Sequence, residues 1–553
     1  MEASLGAFPT MIRISLDSCV GALCAVGLAA ACGQNSAVSI DDLSPPQYLA
    51  VPTVILAPDP FTPMAAEVFV STDQAVTASV TVRYEDGTVG GPFSSLGDPS
   101  LSNRVSVLGL RPGENHEIQI EAMNSAGVVS EFSESFELQL EPLDDSLPPL
   151  DVTLGDESLI TPGYTLFCAG GIDAGGAPLS HVCILDERGE LYWYHRSQGQ
   201  ITDLRQLRNG NLLYIVNNRS LREITMTGEI VTEWFAASLN DDPAPPGAIL
   251  VPIDTFHHEV AELPPGDEAD FLVLSSAMHT VREYPLSVTD TEEVETADVV
   301  SDVIYTMKRN GEIVESWDLI DLIDVYRLSY DSLGSFWANF YGPDSRDWTH
   351  ANASIYNPQT DEIVVSMRHQ DALLAFGRSD GQVKWILGDH AEWDMPDALH
   401  LLEPPLDSSV PFEWPYHLHA PAFTSNDTVL LFDNGNNRAI APAPPLESAV
   451  YSRAVEYRID RETMSLTQEW VYGGPEDPWF SRAVGDADAL PGTNNVLVTD
   501  GFRFGPGGTR WARVFEVTRS GEVVKEIKVQ TPEGASEQIN WLIYRAEHLT
   551  SLP

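Results

Sequence analysis

The sequence predicts an all-β chain: a six-bladed β-propeller preceded by a small β-sandwich. Three observations predict it. Short runs alternate apolar and polar residues with period two, as strands with one buried face do. A turn-and-strand element recurs about six times after residue 150. The 40 Gly and 39 Pro are spread along 553 residues, which fits many short strands joined by turns.

Residues 1–32 read as an export signal. Arg13 precedes an apolar, small-residue stretch from Cys19 to Cys32, and Met11 offers a start of more usual signal length. Leu28-Ala-Ala-Ala-Cys32 resembles a bacterial lipobox with its leucine one place further out than usual. Cys32 is therefore a candidate for lipidation, and the expected location is periplasmic or cell-surface, with a membrane tether through the modified N-terminus. A polar linker, 33–46, follows.

Residues 47–143 alternate cleanly, for example in Ala66–Ser71, Ala78–Tyr84 and His116–Ala122. The run from Val107 to Gly127 resembles the later strands of fibronectin type III domains, so this part reads as a fibronectin-III-like β-sandwich. His116 stands where such domains carry a tyrosine, which puts the usual corner hydrogen bond in question. An acidic, Pro-rich joint leads to the propeller at 150–553.

The propeller repeat is a turn, Gly-Glu or Gly-Gln, followed by an alternation ending near an aromatic. It occurs at Arg188–Trp193, Thr227–Trp234, Asn310–Trp317, Asp380–Trp385 and Ser520–Val524, with a looser copy at Arg461–Trp470. Insertions at 285–303 and 390–413 enlarge the blades. A closed ring removes long exposed edges and gathers residues from every blade into one channel. An array of β-sandwiches is the alternative fold.

Charge excludes some partners. With 82 Asp+Glu against 30 Lys+Arg, the net charge is −52, the opposite of a nucleic-acid or anionic-lipid footprint. Any anion site must be locally basic, so clustered His and Arg are informative. After the signal only Cys168 and Cys183 remain, and an exported chain is expected to pair them as a disulfide.

Six of the 13 histidines fall in four patches: His257-His258, His350, His369, and His417 with His419. The repeat register sets His258 against His419 and places His350 before a comparable strand, so these three converge on the channel with Arg368. His279, His369, His390 and His400 read as ordinary hydrogen-bonded histidines. Burying so many polar groups costs several kcal/mol unless they serve a ligand. Three imidazoles suit zinc, with Glu259 in support and His417 and His419 on one strand face. Arg368 opposes a cation, so no metal is expected.

His257-His-Glu259, Asp347-Trp-Thr-His-Ala-Asn352, Ser366-Met-Arg-His-Gln370 and His419-Ala…Leu431-Phe-Asp-Asn-Gly435 together resemble the motifs of bacterial aryl-sulfate sulfotransferases, over most of 150–553. The resemblance implies ping-pong transfer of a sulfuryl group from a phenolic sulfate donor to a phenol acceptor, without the nucleotide donor PAPS or any cofactor. By position His419 is the nucleophile. Anion binding and proton handling fall on His258, His350, Asn352 and Arg368, with His257 replacing His258 if the register is one residue off. The resemblance also implies a homodimer. Two other readings stay open: a non-catalytic exported propeller that binds sulfated or phenolic ligands, and a metal-dependent hydrolase.

Overall fold

The structure, a computed structural model, describes residues 44–57, 61–95, 97–137, 143, 146–173, 175–239, 243–405, 412–446, 450–535 and 538–552. The expected signal, Cys32 and most of the linker lie outside the described residues.

The chain is all-β. In the N-terminal sheet the long strand Ala65–Arg83 is shared along its length. Its first half pairs with Thr53–Leu56 and Ser100–Leu108, and its second half with Val89–Ser94 and Asn115–Asn124. Asn115–Asn124 alternates exposed and buried residues without a break, as period two demands. His116 supplies a corner bond after all: its Nε2 accepts the Arg111 backbone N–H at 3.0 Å. Burial lowers the pKa of His116, which keeps that acceptor free of a proton.

Six sheets of four or five strands follow among the described residues. Their ends interlock. The strand Leu542–Leu549 completes the first of them beside Tyr164–Ile172, while Leu150–Leu154 completes the sixth beside Val523–Val529.

The recurring turn links the third and fourth strands of these sheets. At 186–190, 225–229, 308–312 and 518–522 the same two bonds form: the first residue's N–H donates to the fifth carbonyl, and the glycine N–H donates to the first. The glycines Gly189, Gly228, Gly311 and Gly521 sit at φ of 77°, 84°, 84° and 92°, a region costly for any residue with a Cβ.

In three of the repeats the closing tryptophan ties one sheet to the next. Trp193 Nε1 donates to Met226 O (2.9 Å), Trp234 Nε1 to Arg309 O (2.8 Å) and Trp470 Nε1 to Arg519 O (3.0 Å), each acceptor lying in the following sheet's turn. Trp234 is fully buried. Trp234→Ala is expected to cost about 3–5 kcal/mol, seen as a lower denaturant midpoint. Trp234→Phe keeps most of the ring and loses only the bond, so its midpoint should fall less.

The expected disulfide is absent, for a reason of register. Cys168 faces Val182 and Cys183 faces Phe167 across the strands Tyr164–Ile172 and Pro178–Leu185. Adjacent residues of a strand point to opposite faces, so the two thiols enter different cores. Burial pushes the Cys168 thiol up to about 12 and keeps it neutral.

Candidate active site

The first strands of the third, fourth and fifth of the six sheets are Val260–Glu262, Ala351–Asn357 and His419–Phe423. A histidine in the left-handed region stands just before each: His258 (φ 58°), His350 (φ 47°) and His417 (φ 52°). Such conformations cost about 1–3 kcal/mol and persist where the surroundings over-determine them. By backbone register His417, rather than His419, is thus the counterpart of His258 and His350. His419 lies two residues further on.

Two of the sequence motifs lock together. Arg368–Gln370 forms a single 3₁₀ turn at the end of Glu362–Met367. The N–H groups of Arg368 and His369 donate to the carbonyls of His350 and Thr349, at 3.3 and 3.0 Å. His369 Nδ1 donates to Asp347 O (2.7 Å), and Gln370 Nε2 to Trp348 O (2.8 Å). Asp302 anchors the motif at 347–352, accepting from Thr349 Oγ1 (2.5 Å) and the Ala351 N–H (2.6 Å).

The histidine rings meet. His258 lies 4.9 Å from His350 between centroids, and His350 stacks on His369 at 4.6 Å. His350 Nδ1 is hydrogen-bonded to Asp347 Oδ2 (2.5 Å). Phe336, 49% exposed, packs edge-on to His350 at 4.6 Å and lies 5.8 Å from His258. Tyr544, on the strand Leu542–Leu549, forms another wall 5.9 Å from His258.

His419 is 3% exposed and held at one nitrogen. Its Nδ1 is 2.6 Å from Asn434 Oδ1 and 3.1 Å from His417 O. Asn434 spends its amide N–H groups on Ser481 O and Val484 O, so the oxygen faces His419. Both neighbours of Nδ1 are acceptors, so Nδ1 carries the proton and Nε2 keeps its lone pair. Burial, then the Arg368 charge, lowers the His419 pKa well below the usual value.

The cations are Arg368 and His417. Burial opposes charge on His417, yet Asp371 on Nδ1 (2.7 Å) and Asp331 facing Nε2 (3.3 Å) raise its pKa overall. Arg368 has only a loose pairing, Nη1 to Asp331 Oδ2 at 3.6 Å, which leaves guanidinium donors for a ligand. Burial holds His350 down to about 3, with Arg368 adding to the effect. His258 is lowered by burial first and by His350 second. The result is neutral imidazoles beside localised positive charge.

Several expected residues sit behind this surface. Asn352 is fully buried and its amide donates to Leu418 O (2.7 Å), which steadies the backbone next to His419. His257 is fully buried, packed on Trp337 and facing Asp302, so it does not replace His258 beside His350. Glu259 is taken up by Arg205 (3.0 Å), Arg545 (2.9 Å) and the Ser354 N–H (2.7 Å). His417 and His419 share no strand face, because His417 stands outside the strand and both its nitrogens meet carboxylates.

His369, read from sequence as ordinary, belongs to the cluster. Its place in the Arg-His-Gln run was the available signal. His279, by contrast, pairs with Asp318 at 2.8 Å, and His390 donates to Leu402 O. Asn434 was legible only as part of the Phe-Asp-Asn-Gly run. Nothing in the sequence singled out Asp302, Phe336 or Tyr544.

Asp347, His350 and His369 offer ligand atoms within 4.8 Å of one another, the one such group among the described residues. The Nδ1 atoms of both rings already face Asp347, and Arg368 bears on all three residues electrostatically. The donor set does not favour a cation.

The family described as Arylsulfotransferase (ASST) matches residues 176–545. The chain is 27% identical over 435 residues to the arylsulfate sulfotransferase AssT of Escherichia coli strain CFT073, covering 68% of each protein. It is 30% identical over 212 residues to the arylsulfate sulfotransferase AssT of Lelliottia amnigena, covering 32% of this chain and 35% of that protein. A crystal structure of a protein of unknown function from Bacteroides caccae matches 70% of this chain and 98% of its own at 12% identity, with a TM-score of 0.34, too low to bear on the fold.

Proposed function

The chain belongs to the arylsulfotransferase family, a PAPS-independent class of sulfotransferase, and on that premise we propose that it moves a sulfuryl group from a phenolic sulfate ester to a phenol by a ping-pong route through a covalent sulfo-histidine on His419. The observation that carries this reading is the single anchored nitrogen of His419. With Nδ1–H held by Asn434, Nε2 presents a lone pair beside Arg368.

In the first half-reaction Nε2 bonds to sulfur and the sulfur–oxygen bond to the aryl group breaks. Sulfuryl transfer resembles phosphoryl transfer, with a loose transition state and charge on the peripheral oxygens. Arg368 and the positively biased His417 neutralise that charge. Burial pushes the Asp347 carboxyl up to about 7, and in its protonated form it donates to His350 Nδ1. His350 Nε2–H then completes the oxygen contacts, while His258 exchanges the proton of the leaving and entering phenols. Asn352 holds the backbone beside the nucleophile. The exposed ring of Phe336 gives the aryl group an apolar surface. In the second half-reaction a phenol takes the group from His419.

The same reading takes the six sheets as six propeller blades, the N-terminal sheet as a folded sandwich, and the cluster as lining the propeller channel. It also places the protein outside the cytoplasm, tethered through Cys32, and makes it a homodimer. Intact mass tests the chemistry: incubation with 4-nitrophenyl sulfate should add about 80 Da to the full chain and nothing to His419→Ala. An unmodified wild-type chain that still transfers sulfate would overturn the covalent route.

A further inference from the structure

Behind the substrate-facing His258 stand a second histidine and a carboxylate, in line. His257 Nδ1 is 2.8 Å from His258 Nδ1. His257 Nε2 is 3.3 Å from Asp302 Oδ1. Both of these last atoms are buried and neither makes a hydrogen bond, so what joins them is an electrostatic contact across 3.3 Å. Asp302 Oδ2 is fixed by Thr349 and Ala351, which aims Oδ1 at the ring. A carboxylate at that distance favours a protonated, positively charged His257 ring. The two Nδ1 atoms can approach to 2.8 Å only if one donates to the other, so one proton lies between the rings.

We propose that Asp302, His257 and His258 form a proton relay that makes His258 the acid and base of sulfuryl transfer, with His257 a positioning and relay residue that never touches substrate. This rests on the transfer reading above. In the acid form the ring pair holds three protons: on His257 Nε2, between the Nδ1 atoms, and on His258 Nε2. The positive charge sits on His257, against Asp302. As the sulfur–oxygen bond breaks, the phenolate oxygen takes the Nε2 proton of His258. The shared proton moves onto His258 Nδ1, and both rings end neutral. The entering phenol reverses each transfer. His258 thus handles a proton without holding a full charge of its own. That matters because His350, His419 and Arg545 all face it and oppose such a charge, while Tyr544 and Phe336 are its other ring neighbours. Around His257 stand Trp337, Asp302 and Asp347.

The relay matters most for poor leaving groups. His257→Asn leaves an acceptor for the His258 Nδ1 proton but cannot pass a proton on. In the full chain, kcat/KM for phenyl sulfate should fall about 100-fold, whereas that for 4-nitrophenyl sulfate, whose phenolate leaves unaided, should fall less than about tenfold. The slope of rate against phenol pKa steepens accordingly. Equal losses on both donors, or no loss, would overturn the relay. A measurement on the wild type alone guards against a misfolded variant. With phenyl sulfate, rates in mixtures of H2O and D2O should curve, since two protons move together; a straight line overturns the relay. Failure of the transfer reading looks different, because the wild type would then form no adduct from 4-nitrophenyl sulfate at all.

Discussion

His419→Ala is expected to lower kcat/KM for transfer from 4-nitrophenyl sulfate by about 10⁴-fold or more. The size follows from what is lost. Without Nε2 no covalent intermediate forms, and the remaining groups can only assist direct attack of one phenol on the other's sulfate. The fold should survive, because the side chain's bonds are local: one to Asn434 and one to the His417 carbonyl. Steady-state rates with matched melting curves check this, and a variant within about tenfold of wild type would remove His419 from the mechanism. Asn434→Ala should show a smaller loss in the same assay. It removes the nearer of the two acceptors on Nδ1 and leaves only the His417 carbonyl, so the ring more often places its proton on Nε2, the wrong nitrogen for attack.

Arg368→Met is the second large effect, expected at about 10³-fold in kcat. The guanidinium is mostly enclosed, yet its nearest carboxylate is a loose one at 3.6 Å. Asp331, Asp347 and Asp371 offset part of the cost of burying its charge, and none of them takes up its fork in a close bidentate pair. A loose transition state places more charge on the peripheral oxygens than the ground state does, so kcat should suffer more than KM. Arg368→Lys should recover part of the rate. It restores charge without the planar fork that grips two oxygens. A fall confined to KM would mean that Arg368 only recruits the donor. On a chain of net charge −52 that alternative is worth separating.

The repeat was the most legible part of the fold. A turn such as 225–229 needs a residue at φ near 84°, glycine meets that need, and the requirement acts over five residues. Period-two alternation was equally readable in Asn115–Asn124, where each buried residue is set by its own strand. Trp193, Trp234 and Trp470 were visible as part of a pattern, but not as staples, since each acceptor lies in another sheet. The disulfide failed on register. Spacing and compartment both favoured it, while the pairing of Cys168 with Val182 put the thiols on opposite faces.

The site divides in the same way. The residues His258, His350, Arg368 and His419 stood out because histidines were clustered on a chain with few cations. His369 looked ordinary because its ring partner His350 is 19 residues away in sequence and adjacent only after the two motifs lock. His257 and His258 looked interchangeable as neighbours in the chain, yet both are buried and only one meets Asp302, while the other meets His350 and the partly exposed Phe336.

By itself, then, the sequence determined the kind of protein: an all-β repeat with a basic, histidine-rich site in an acidic chain. These are properties of composition and of backbone preferences that act within a few residues. Only the tertiary structure decided which nitrogen of His419 holds its proton, which histidine faces inward, and which carboxylate balances it. A proton's place on an imidazole depends on acceptors within about 3 Å. Such an acceptor, Asn434 for His419, and the charge of Asp302 that faces His257, reach the rings only when separate strands and turns are packed together.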